Sequence, residues 1–394
     1  MPELKNKNLV NKVITVNKMY PPEIGGVEFV AQQIAKIVNA NGYKSEVITF
    51  NRSWFSETHQ DGCVIIHRIK AMRLGRSLRI PFGYLKLLKK KQSDNTITIY
   101  HYPSFAPEIL LLRSKKNQGR WICLYHADIV GKGIVGKMYE KIVTKRFLNH
   151  MNHIVATSPN IKKTSNHLKK RKNVTVIPLG VDIQLFNENG EDMRREIMKS
   201  ILERKPDVKS ESIKVLLYVG RMARYKGVKE LVSALSMCPD TYYLVVISSD
   251  DVKLLMDYSE EHAVSHRVLI YQHVLYKDLP KFYRSADIVC MPSTDRGEAF
   301  GLVALEAMAC GIPVITTELG TGTSYHNING TTGLVIRPRD ERALFDGIMH
   351  ITNNKQRFIP QEIRKRAVEF SMDEFEKKWI SFLREESIEG IGRG

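Results

Sequence analysis

Short apolar runs alternate with longer amphipathic stretches through the first half of the chain. Residues 11–17 (NKVITVN) form a β-branched run, and residues 27–41 repeat apolar side chains at helical spacing up to an Asn-Gly pair. Further strand-like runs follow, namely SEVITF, GCVIIHRI, NTITIYH, RWICLYH, NHIVATS and NVTVIP, with helical stretches at 132–149 and 159–170. This alternation predicts a parallel sheet covered by helices.

The same alternation restarts after a polar stretch at about 187–212. The strand-like runs IKVLLYVG, TYYLVVIS, RVLIYQHV, ADIVCMPS, GIPVITT and TGLVIRP are interleaved with helical segments. The sequence therefore predicts an α/β fold of two facing doubly wound, Rossmann-like domains, at 1–186 and 187–370. Ligands of open α/β sheets bind at the carboxyl ends of the strands, so we expect the functional site in the cleft between the domains.

Length and composition agree with two folded domains. The 394 residues exceed one ordinary core, and 43% hydrophobic with 26% charged residues exclude a disordered chain. No run of eighteen apolar residues occurs, and the first thirteen residues contain no apolar signal-peptide core, so we expect a cytoplasmic protein. Five widely spaced cysteines without a CxxC pair predict reduced core residues and no zinc site: Cys63, Cys123, Cys238, Cys290 and Cys310.

Basic charge is concentrated in one half of the chain. Residues 1–190 carry 31 Lys and Arg against 12 Asp and Glu, whereas residues 191–394 carry 29 against 30. This asymmetry indicates an anionic partner for the first half, which could be a membrane surface, a nucleic acid or an acidic substrate. A charge that served only solubility would make both halves basic.

Two loops at predicted strand ends carry candidate phosphate-binding groups. Gly25 and Gly26 follow the first strand and open a helix, where the backbone can approach an anion. Arg221 and Lys226 lie in VGRMARYKG, after the first strand of the second half. Arginine offers a planar fork and lysine a mobile point charge, which together suit a diphosphate. The alternatives are an ordinary Gly-Gly turn and a pair of solvated cations.

The stretch RGEAFGLVALEAMACG (296–311) contains two glutamates. Helical spacing starts near Gly301, so Glu298 precedes the helix and Glu306 lies about 7.5 Å along its axis. The free N–H groups of residues 299–303 form an anion site between them. Two carboxylates can accept hydrogen bonds from hydroxyls on either side of that anion, which is the layout of a nucleotide sugar. The alternative is a helix start compensated by Glu298, with Glu306 exposed.

These motifs resemble those of the retaining GT-B glycosyltransferases of the large E-x7-E family, which includes bacterial mannosyl-, galactosyl- and glucosyltransferases of surface-polysaccharide assembly. The likeness runs along nearly the whole chain, through MYPPEIGGVE, YHADIVGK, ATSPNIKK, VIPLGVDIQLF, YVGRMARYKGVKELVSAL and ADIVCMPSTDRGEAFGLVALEAMACGIPVITTELGTGTSYHNINGTTGLVIRP. It implies an acceptor-binding N-terminal domain and a donor-binding C-terminal domain. It also implies that the amphipathic helix at 371–386 crosses back, so that residues 371–394 belong with the first domain and the cleft closes on the donor.

The resemblance implies roles for individual residues. Glu306 would bind the ribose, Glu298 would lie beside the transferred sugar, and Arg221 with Lys226 would hold the diphosphate. His126 in YHAD would contact the donor sugar or its phosphate, and it joins Glu298, Arg221 and Lys226 as a catalytic candidate. The full predicted donor site comprises Gly25, Gly26, Arg221, Lys226, Val274, Glu298, Ala299, Phe300, Gly301, Leu302, Val303 and Glu306.

The predicted reaction moves a hexose, mannose ahead of galactose or glucose, from a GDP- or UDP-linked donor with retention of configuration. The cations and the helix N-terminus would stabilise the leaving diphosphate without a metal, and the chain has no Asp-x-Asp. Retention in this family is usually explained by front-face attack, in which the leaving phosphate takes the acceptor's proton. A double displacement would instead need a nucleophilic carboxylate at the anomeric carbon. No cofactor or metal is expected.

Some of these residues also have a plainer interpretation. His126 and the similar candidate His101 could be hydrogen-bonded structural residues at strand ends, and Asp128 could orient His126 or cap the next helix. The sequence departs from the common family form at Ala299, where an aromatic residue or glycine is frequent, and in GTGTSYHNINGTTG after the helix. Loops of this GTGTS type are frequent in members from O-antigen and capsule pathways, which favours a surface-polysaccharide role.

Two basic amphipathic segments, 75–92 and 132–150, suit an interface with anionic lipid. We expect a peripheral protein on the inner face of the plasma membrane that uses a lipid-linked or lipopolysaccharide glycan acceptor, with other polysaccharide-assembly enzymes as candidate partners. Ordinary helices with solvated faces are the alternative. The residues predicted to meet the membrane or acceptor are Arg76, Arg79, Lys86, Lys89, Lys90 and Lys91.

Two other functional classes stay open on the sequence. A basic nucleic-acid-binding protein would explain the charge of the first half, but no nucleic-acid-binding motif is visible and the donor loops would have no role. A catalytically silent nucleotide-sugar-binding subunit would keep the donor loops without turnover. The joint presence of Glu298, Glu306, Arg221 and Lys226 favours the enzyme.

Overall fold

The computed structural model describes residues 10–23, 25–51, 55–74, 78–112, 118–130 and 133–389. The chain divides into two compact units: unit 1 comprises residues 1–178 and 375–394, and unit 2 comprises residues 179–374. The sequence predicts the division after residue 186 and the return at 371, a few residues from these positions.

Unit 1 consists of alternating strands and helices. Its strands are β1 (Lys12–Val16), β2 (Lys44–Asn51), β3 (Glu57–Asp61), β4 (Val64–Leu74), β5 (Leu78–Pro81), β6 (Thr96–Tyr102), β7 (Arg120–Tyr125), β8 (His153–Ala156) and β9 (Val174–Val176). Its helices are α1 (Gly26–Ala40), α2 (Tyr84–Lys91), α3 (Ala106–Leu111), α4 (Gly133–Tyr139), α5 (Lys145–His150) and α6 (Pro159–Thr164), with a π-helical turn (Glu140–Thr144) joining α4 to α5.

The strand order of the unit 1 sheet reverses between β1 and β6. In the described residues the strand order is β3-β4-β2-β1-β6-β7-β8-β9, and β5 pairs with β4. Strands β4, β2, β1, β6, β7, β8 and β9 run parallel, whereas β3 and β5 pair antiparallel with β4. The carboxyl ends of β1 and β6 therefore flank the reversal point, which is where open α/β sheets bind ligands.

The C-terminal helix α15 (Met372–Glu389) completes unit 1 from Phe375 onward. Trp379 and Phe382 are buried, and the Phe382 ring packs against the His153 ring with centroids 5.0 Å apart. Glu386 accepts a hydrogen bond from Arg120 Nε at 2.7 Å and pairs with His153 Nδ1 at 2.9 Å. The final helix is thus fixed to the first sheet by apolar packing and by a nearly buried carboxylate.

Unit 2 has a second parallel sheet. Its strands are β10 (Lys214–Val219), β11 (Tyr242–Ser248), β12 (Val268–Gln272), β13 (Ile288–Met291), β14 (Val314–Thr317) and β15 (Gly333–Ile336). Its helices are α7 (Arg194–Arg204), α8 (Val228–Met237), α9 (Lys253–Glu261), α10 (Leu279–Ser285), α11 (Leu302–Ala309), α12 (Thr323–His326), α13 (Glu341–Asn353) and α14 (Pro360–Val368). The order β12-β11-β10-β13-β14-β15 reverses between β10 and β13, so the carboxyl ends of these two strands flank the second ligand-binding position.

Several local predictions were wrong. The polar strand β3 (ETHQD) is fully exposed and pairs at the sheet edge, so it carries no apolar alternation that a sequence could reveal. Cys63 is exposed in the turn between β3 and β4, whereas the other four cysteines are buried as predicted. The predicted helical stretch at 159–170 is helical only to Thr164.

The basic segment 75–92 does not form one amphipathic element. Its described part divides into β5 and α2, and residues 75–77 lie outside the described residues. None of the described helices is long and apolar enough to cross a membrane.

Candidate active site

The sheet order of unit 2 brings two predicted site loops together. The loop with Lys226 follows β10, and the loop with Glu298 follows β13, the neighbouring parallel strand. Both loops therefore start at the same edge of the sheet, at the reversal of strand order. Gly227, with φ +75°, permits the close contact because a Cβ there would lie 1.9 Å from the Pro292 carbonyl oxygen.

Lys226 and Glu298 form a nearly buried ion pair. Lys226 Nζ donates to Glu298 Oε2 at 2.5 Å, and the Ser293 hydroxyl donates to the same oxygen at 3.2 Å. The two side chains are 15% and 11% exposed, so water screens their attraction weakly. Burial lowers the pKa of Lys226, but the charge of Glu298 outweighs this effect and the net pKa is raised. Lys226 is therefore held as an ammonium ion.

The backbone after Glu298 is held by the following loop, GTGTS, and the helix α12. The carbonyl oxygen of Glu298 accepts from the Thr321 hydroxyl at 2.9 Å, and that of Ala299 accepts from the Gly322 N–H at 2.7 Å. The carbonyl oxygen of Phe300 binds the His326 Nε2 at 2.7 Å. Burial lowers the pKa of His326 to about 4, so His326 is neutral and donates this bond from Nε2.

The same loop leaves its amides unpaired. Within the described structure, no hydrogen-bond acceptor contacts the N–H groups of the residues from Ala299 to Val303. Gly301 precedes α11 with φ +81°, a backbone conformation that favours glycine, and a Cβ there would lie 2.5 Å from the end of the Met291 side chain. With three carbonyls turned toward 321–326 and the amides unpaired, this turn is suited to bind an anion.

Five predicted donor-binding residues lie in this turn: Ala299, Phe300, Gly301, Leu302 and Val303. Their unpaired backbone N–H groups are the part of these residues that suits a donor-binding role. The Phe300 side chain is 2% exposed and packs edge-on against His326 and Phe370. Val274 follows β12, next to His273, which has a positive φ of +57°.

Glu306 lies in a different environment from Glu298. Its Oε2 accepts from the buried Tyr283 hydroxyl at 2.7 Å, and its Oε1 accepts from Tyr276 at 3.3 Å. Burial raises the pKa of Glu306 to about 7, and the two phenolic hydrogen bonds oppose only part of that rise. Sequence reasoning missed both tyrosines, because Tyr276 lies in a short 3-10 turn and Tyr283 in the following helix α10.

Arg221 lies in the same loop as Lys226, which pairs with Glu298, but its side chain is more exposed than that of Lys226. Its guanidinium is exposed and donates from Nη2 to the Tyr225 hydroxyl at 3.1 Å. Its own carbonyl oxygen accepts from the Tyr218 hydroxyl at 2.8 Å, which fixes the backbone after β10. The exposed guanidinium is therefore accessible from solvent.

In unit 1, the two predicted glycines have different local surroundings. Gly25 caps α1, and a Cβ there would lie 2.1 Å from Glu28 Oε2, so a larger residue would displace the end of the Glu28 side chain. A Cβ at Gly26 would meet no atom within 4 Å. Packing of the protein itself therefore does not explain glycine at position 26.

The histidines at the ends of β6 and β7 form a pair. His101 Nδ1 lies 2.9 Å from His126 Nε2, and the two rings are 5.1 Å apart and inclined by 26°. Burial lowers the pKa of both rings, that of His126 to about 3, so both are neutral at pH 7. Asp128 accepts from the Tyr125 and Ser165 hydroxyls, each at 2.6 Å.

The basic residues predicted to meet a membrane do not form one surface. Arg76 lies outside the described residues. Arg79 pairs with Glu23 at 2.8 Å and donates to the Phe50 carbonyl oxygen, and Lys91 pairs with the buried Glu46 at 3.1 Å. The prediction was wrong for Arg79 and Lys91 because both charges are used inside the unit.

The charges exposed to solvent in α2 are those of Lys86, Lys89 and Lys90. A second exposed surface lies on α4 and the π-helical turn. It belongs to the predicted basic segment 132–150, for which the sequence analysis named no individual residues. There Ile134, Met138 and Ile142 recur every four residues and are 79%, 58% and 44% exposed. Exposed Lys137 and Lys141 flank this apolar stripe.

The described residues contain no group of three or more His, Cys, Asp or Glu side chains that could hold a metal ion.

Comparison with protein families matches both halves of the chain. Residues 24–185 match a family model described as Glycosyltransferase Family 4, and residues 200–370 match one described as Glycosyl transferases group 1. An O-antigen chain mannosyltransferase C from Escherichia coli is 28% identical over 88% of this chain and 90% of its own length. The D-rhamnosyltransferase WbpZ from Pseudomonas aeruginosa is 27% identical over 84% of each chain.

Solved structures of the same fold cover nearly the whole chain. The sucrose-phosphate synthase of Thermosynechococcus elongatus superposes with a TM-score of 0.77 at 21% identity, over 95% of this chain and 98% of its own. HepE from Anabaena, solved in complex with UDP-glucose, gives a TM-score of 0.69 at 17% identity, over 94% and 99%. At these identities the likeness concerns the fold.

Proposed function

Because the chain belongs to the group 1 glycosyltransferases of GT-B fold, we propose that it transfers a hexose, mannose ahead of galactose or glucose, from a nucleotide diphosphate sugar to a lipid-linked or lipopolysaccharide glycan. Family membership selects the enzyme over the nucleic-acid-binding protein and the silent subunit. A relative named as an O-antigen mannosyltransferase supports the sugar and the pathway.

The observation that carries the proposal is the arrangement around the turn at 298–303. Its unpaired amides and the Lys226 ammonium offer positive charge to a diphosphate, and Glu298 and Glu306 offer hydrogen-bond acceptors to hydroxyls on either side. The neighbours solved with UDP and with UDP-glucose support a nucleotide sugar as donor. The proposed donor is a GDP- or UDP-linked hexose, and the proposed donor site keeps the residues named from the sequence.

The proposed chemistry is metal-independent front-face transfer with retention. Negative charge develops on the leaving diphosphate, and Lys226, Arg221 and the amides of the turn stabilise it. The leaving phosphate takes the proton of the attacking hydroxyl. Glu298 orients the hexose and stabilises its positive charge, while Glu306 holds the ribose. His126 donates a hydrogen bond to a substrate oxygen.

Donor identity is tested first by thermal shift of the full chain with GDP-mannose, UDP-glucose and UDP-galactose, since a bound donor raises the melting temperature by mass action. Transfer is then assayed with isolated lipid-linked glycan and GDP-mannose in EDTA, and NMR determines the anomeric configuration of the product. We expect mannosyl transfer with retention in EDTA. Abolition by EDTA, an inverted product, or turnover of UDP-sugars alone would each contradict the corresponding part of the proposal.

We also propose that unit 1 contacts an anionic membrane surface, through the apolar stripe on α4 and the exposed lysines of α2. Apolar side chains flanked by lysines suit the headgroup boundary of such a membrane. Flotation with phosphatidylglycerol vesicles should carry the protein upward, and Ile134→Ser with Met138→Ser should weaken this. Leu275→Ser, which replaces an exposed apolar side chain of unit 2, serves as the control. Equal flotation of both variants and wild type, or binding to nucleic acid instead, would contradict the assignment.

A further inference from the structure

In the His101–His126 pair, a single proton lies between the two facing nitrogens, His101 Nδ1 and His126 Nε2. Both rings are neutral, and a neutral imidazole carries one N–H and one bare nitrogen. In the first arrangement, His101 Nδ1–H donates to His126 Nε2. In the second, His126 Nε2–H donates to His101 Nδ1. The choice also fixes the two outer nitrogens, because each ring has a single proton.

The outer nitrogens favour the first arrangement. His101 Nε2 is buried and has no hydrogen-bond partner in the described structure. In the second arrangement this atom would be a buried N–H with no acceptor, and orphaned buried donors are rarer than under-used acceptors. In the first arrangement it is a bare nitrogen, and the remaining proton lies on His126 Nδ1. His126 Nδ1, unlike His101 Nε2, is not among the buried polar atoms that lack a partner in the described structure, so a proton there is not stranded.

We propose that His101 is a positioning residue that donates from Nδ1 to His126 Nε2 and thereby fixes His126 as the Nδ1–H tautomer, a hydrogen-bond donor toward a phosphate or hydroxyl oxygen of a substrate. His126 then has no free nitrogen for a proton, since Nε2 is occupied by His101 and Nδ1 is already protonated. It therefore cannot act as the base that deprotonates the acceptor.

This tautomer does not depend on the proposed function, but its effect on turnover does. The backbone around the pair holds the two rings in position. His101 lies one residue before the end of β6, His126 directly follows β7, and these strands pair in parallel register. The backbone N–H of His126 donates to the Tyr102 carbonyl oxygen at 3.0 Å, which fixes the position of one ring relative to the other.

The direct test is long-range ¹H–¹⁵N correlation NMR on the ligand-free full chain labelled at histidine. We expect His126 to show a protonated-type Nδ1 and an unprotonated-type Nε2, which is the minor tautomer of free histidine. The signals are assigned from His126→Asn. A protonated Nε2 on His126 in the wild-type protein would overturn the proposal, whatever the activity of the protein.

Two variants separate positioning from folding. His101→Asn keeps a side-chain N–H near the position of Nδ1, so it should preserve the His126 tautomer and keep kcat within about threefold, because the hydrogen bond survives. His101→Leu removes the donor and should release His126 to the common tautomer, lowering kcat by about five- to tenfold with little change in KM for the donor. If Asn and Leu lower kcat equally while the tautomer is unchanged, His101 has no positioning role.

The proposed function fails by a different result. If no nucleotide sugar is turned over but His126 carries its proton on Nδ1, the transferase assignment falls and the His101 assignment stands. If transfer occurs and His126 carries its proton on Nε2, the reverse holds.

Discussion

Glu298 and Glu306 belong to the same turn and helix of unit 2, and both side chains are nearly buried, yet they are held in opposite ways. Glu298 accepts from an ammonium ion and a serine hydroxyl. Glu306 accepts from two phenols. Among the described residues, the first carboxylate has a countercharge and the second has none. Two glutamates eight residues apart in sequence therefore have different environments: Glu298 is held by an ion pair, and Glu306 is held by hydrogen bonds from neutral groups.

The difference sets how each glutamate responds to pH. Burial raises the pKa of Glu306 to about 7 because no cation compensates its desolvation. Its folded-state pKa lies above the value in the unfolded chain, so protonation stabilises the fold at low pH and this contribution is lost as pH rises through 7. In the proposed function, however, ionised Glu306 is the form that would accept hydrogen bonds from the ribose hydroxyls. Stability and donor binding should therefore change in opposite directions with pH.

The largest effect should come from removing the countercharge of Glu298. Lys226→Ala deletes a cation from the proposed diphosphate site and leaves a buried carboxylate unpaired. We expect kcat/KM to fall by on the order of 10²- to 10³-fold, as for loss of one strong transition-state donor. Lys229→Ala, in the exposed part of the following helix α8, is the matched control and should retain activity. Equal activities of the two variants would remove Lys226 from the site.

The next effect tests whether Glu298 acts in turnover and not in binding. Glu298→Ala should lower kcat by roughly 10²-fold, because a carboxylate beside the hexose stabilises charge that develops only in the transition state. The Kd of the donor, measured by calorimetry, should change by only a few-fold. Glu306→Ala is the internal comparison and should show the reverse pattern. Mild, equal effects from both variants would show that neither glutamate has a specific role and that residues 296–311 are an ordinary start of a helix.

Donor affinity should depend on pH through Glu306. Between pH 6 and pH 8 its carboxyl ionises, so the wild-type Kd should decrease as pH rises. Glu306→Gln should weaken binding by about tenfold at pH 8, on the scale of a hydrogen bond to a charged group, and should show little pH dependence. Calorimetric titrations at four pH values decide the matter. A wild-type Kd that rises with pH would mean that neutral Glu306 is the binding form.

The stability of the protein should show the opposite slope. Relative to Glu306→Gln, the wild type should lose about 2 kcal/mol of unfolding free energy between pH 5 and pH 8, from a pKa raised to about 7. The difference between wild type and variant, measured in urea, isolates Glu306 from Glu108, whose pKa burial also raises to about 7. A difference that does not change with pH would show that Glu306 does not titrate in this range.

The smallest effect concerns the loop that fixes Glu298. Thr321→Val removes the hydroxyl that donates to the Glu298 carbonyl oxygen and keeps the side-chain shape. We expect a loss of about 1 kcal/mol of stability and a few-fold decrease in kcat, since the amide of Gly322 and His326 still hold the turn. Thr331→Val, an exposed threonine beyond this loop, is the control. A larger loss than that of Glu298→Ala would give Thr321 a direct role.

The sequence predicts the parts of this site that depend on local pattern and on the order of strands. The alternation of apolar runs is periodic, so the two sheets and the start of α11 beside Gly301 follow from it. Lys226 and Glu298 could be predicted together because each ends a strand in the same series. Their direct pairing could not be predicted, because it depends on β13 lying next to β10 and not next to β12.

The errors come from contacts between residues far apart in the chain. Arg79 is paired with Glu23 and Lys91 with Glu46, and a count of basic residues does not reveal that these charges are used internally. The strand β3 has no apolar residue to mark it, because it is an exposed edge. His101 was visible as a histidine at a strand end, but its hydrogen bond to His126 required the neighbouring position of β6 and β7.

The ion pair of Lys226 and Glu298 has a consequence for selectivity. In the ligand-free protein each partner already satisfies the other, so inorganic phosphate alone would leave Glu298 without its cation, and a free sugar alone would leave Lys226 without its anion. Only a molecule that presents a phosphate and a hydroxyl together replaces both halves of the pair at once. We therefore expect the resting site to reject the two halves of its own substrate, and to recognise them only when they are joined.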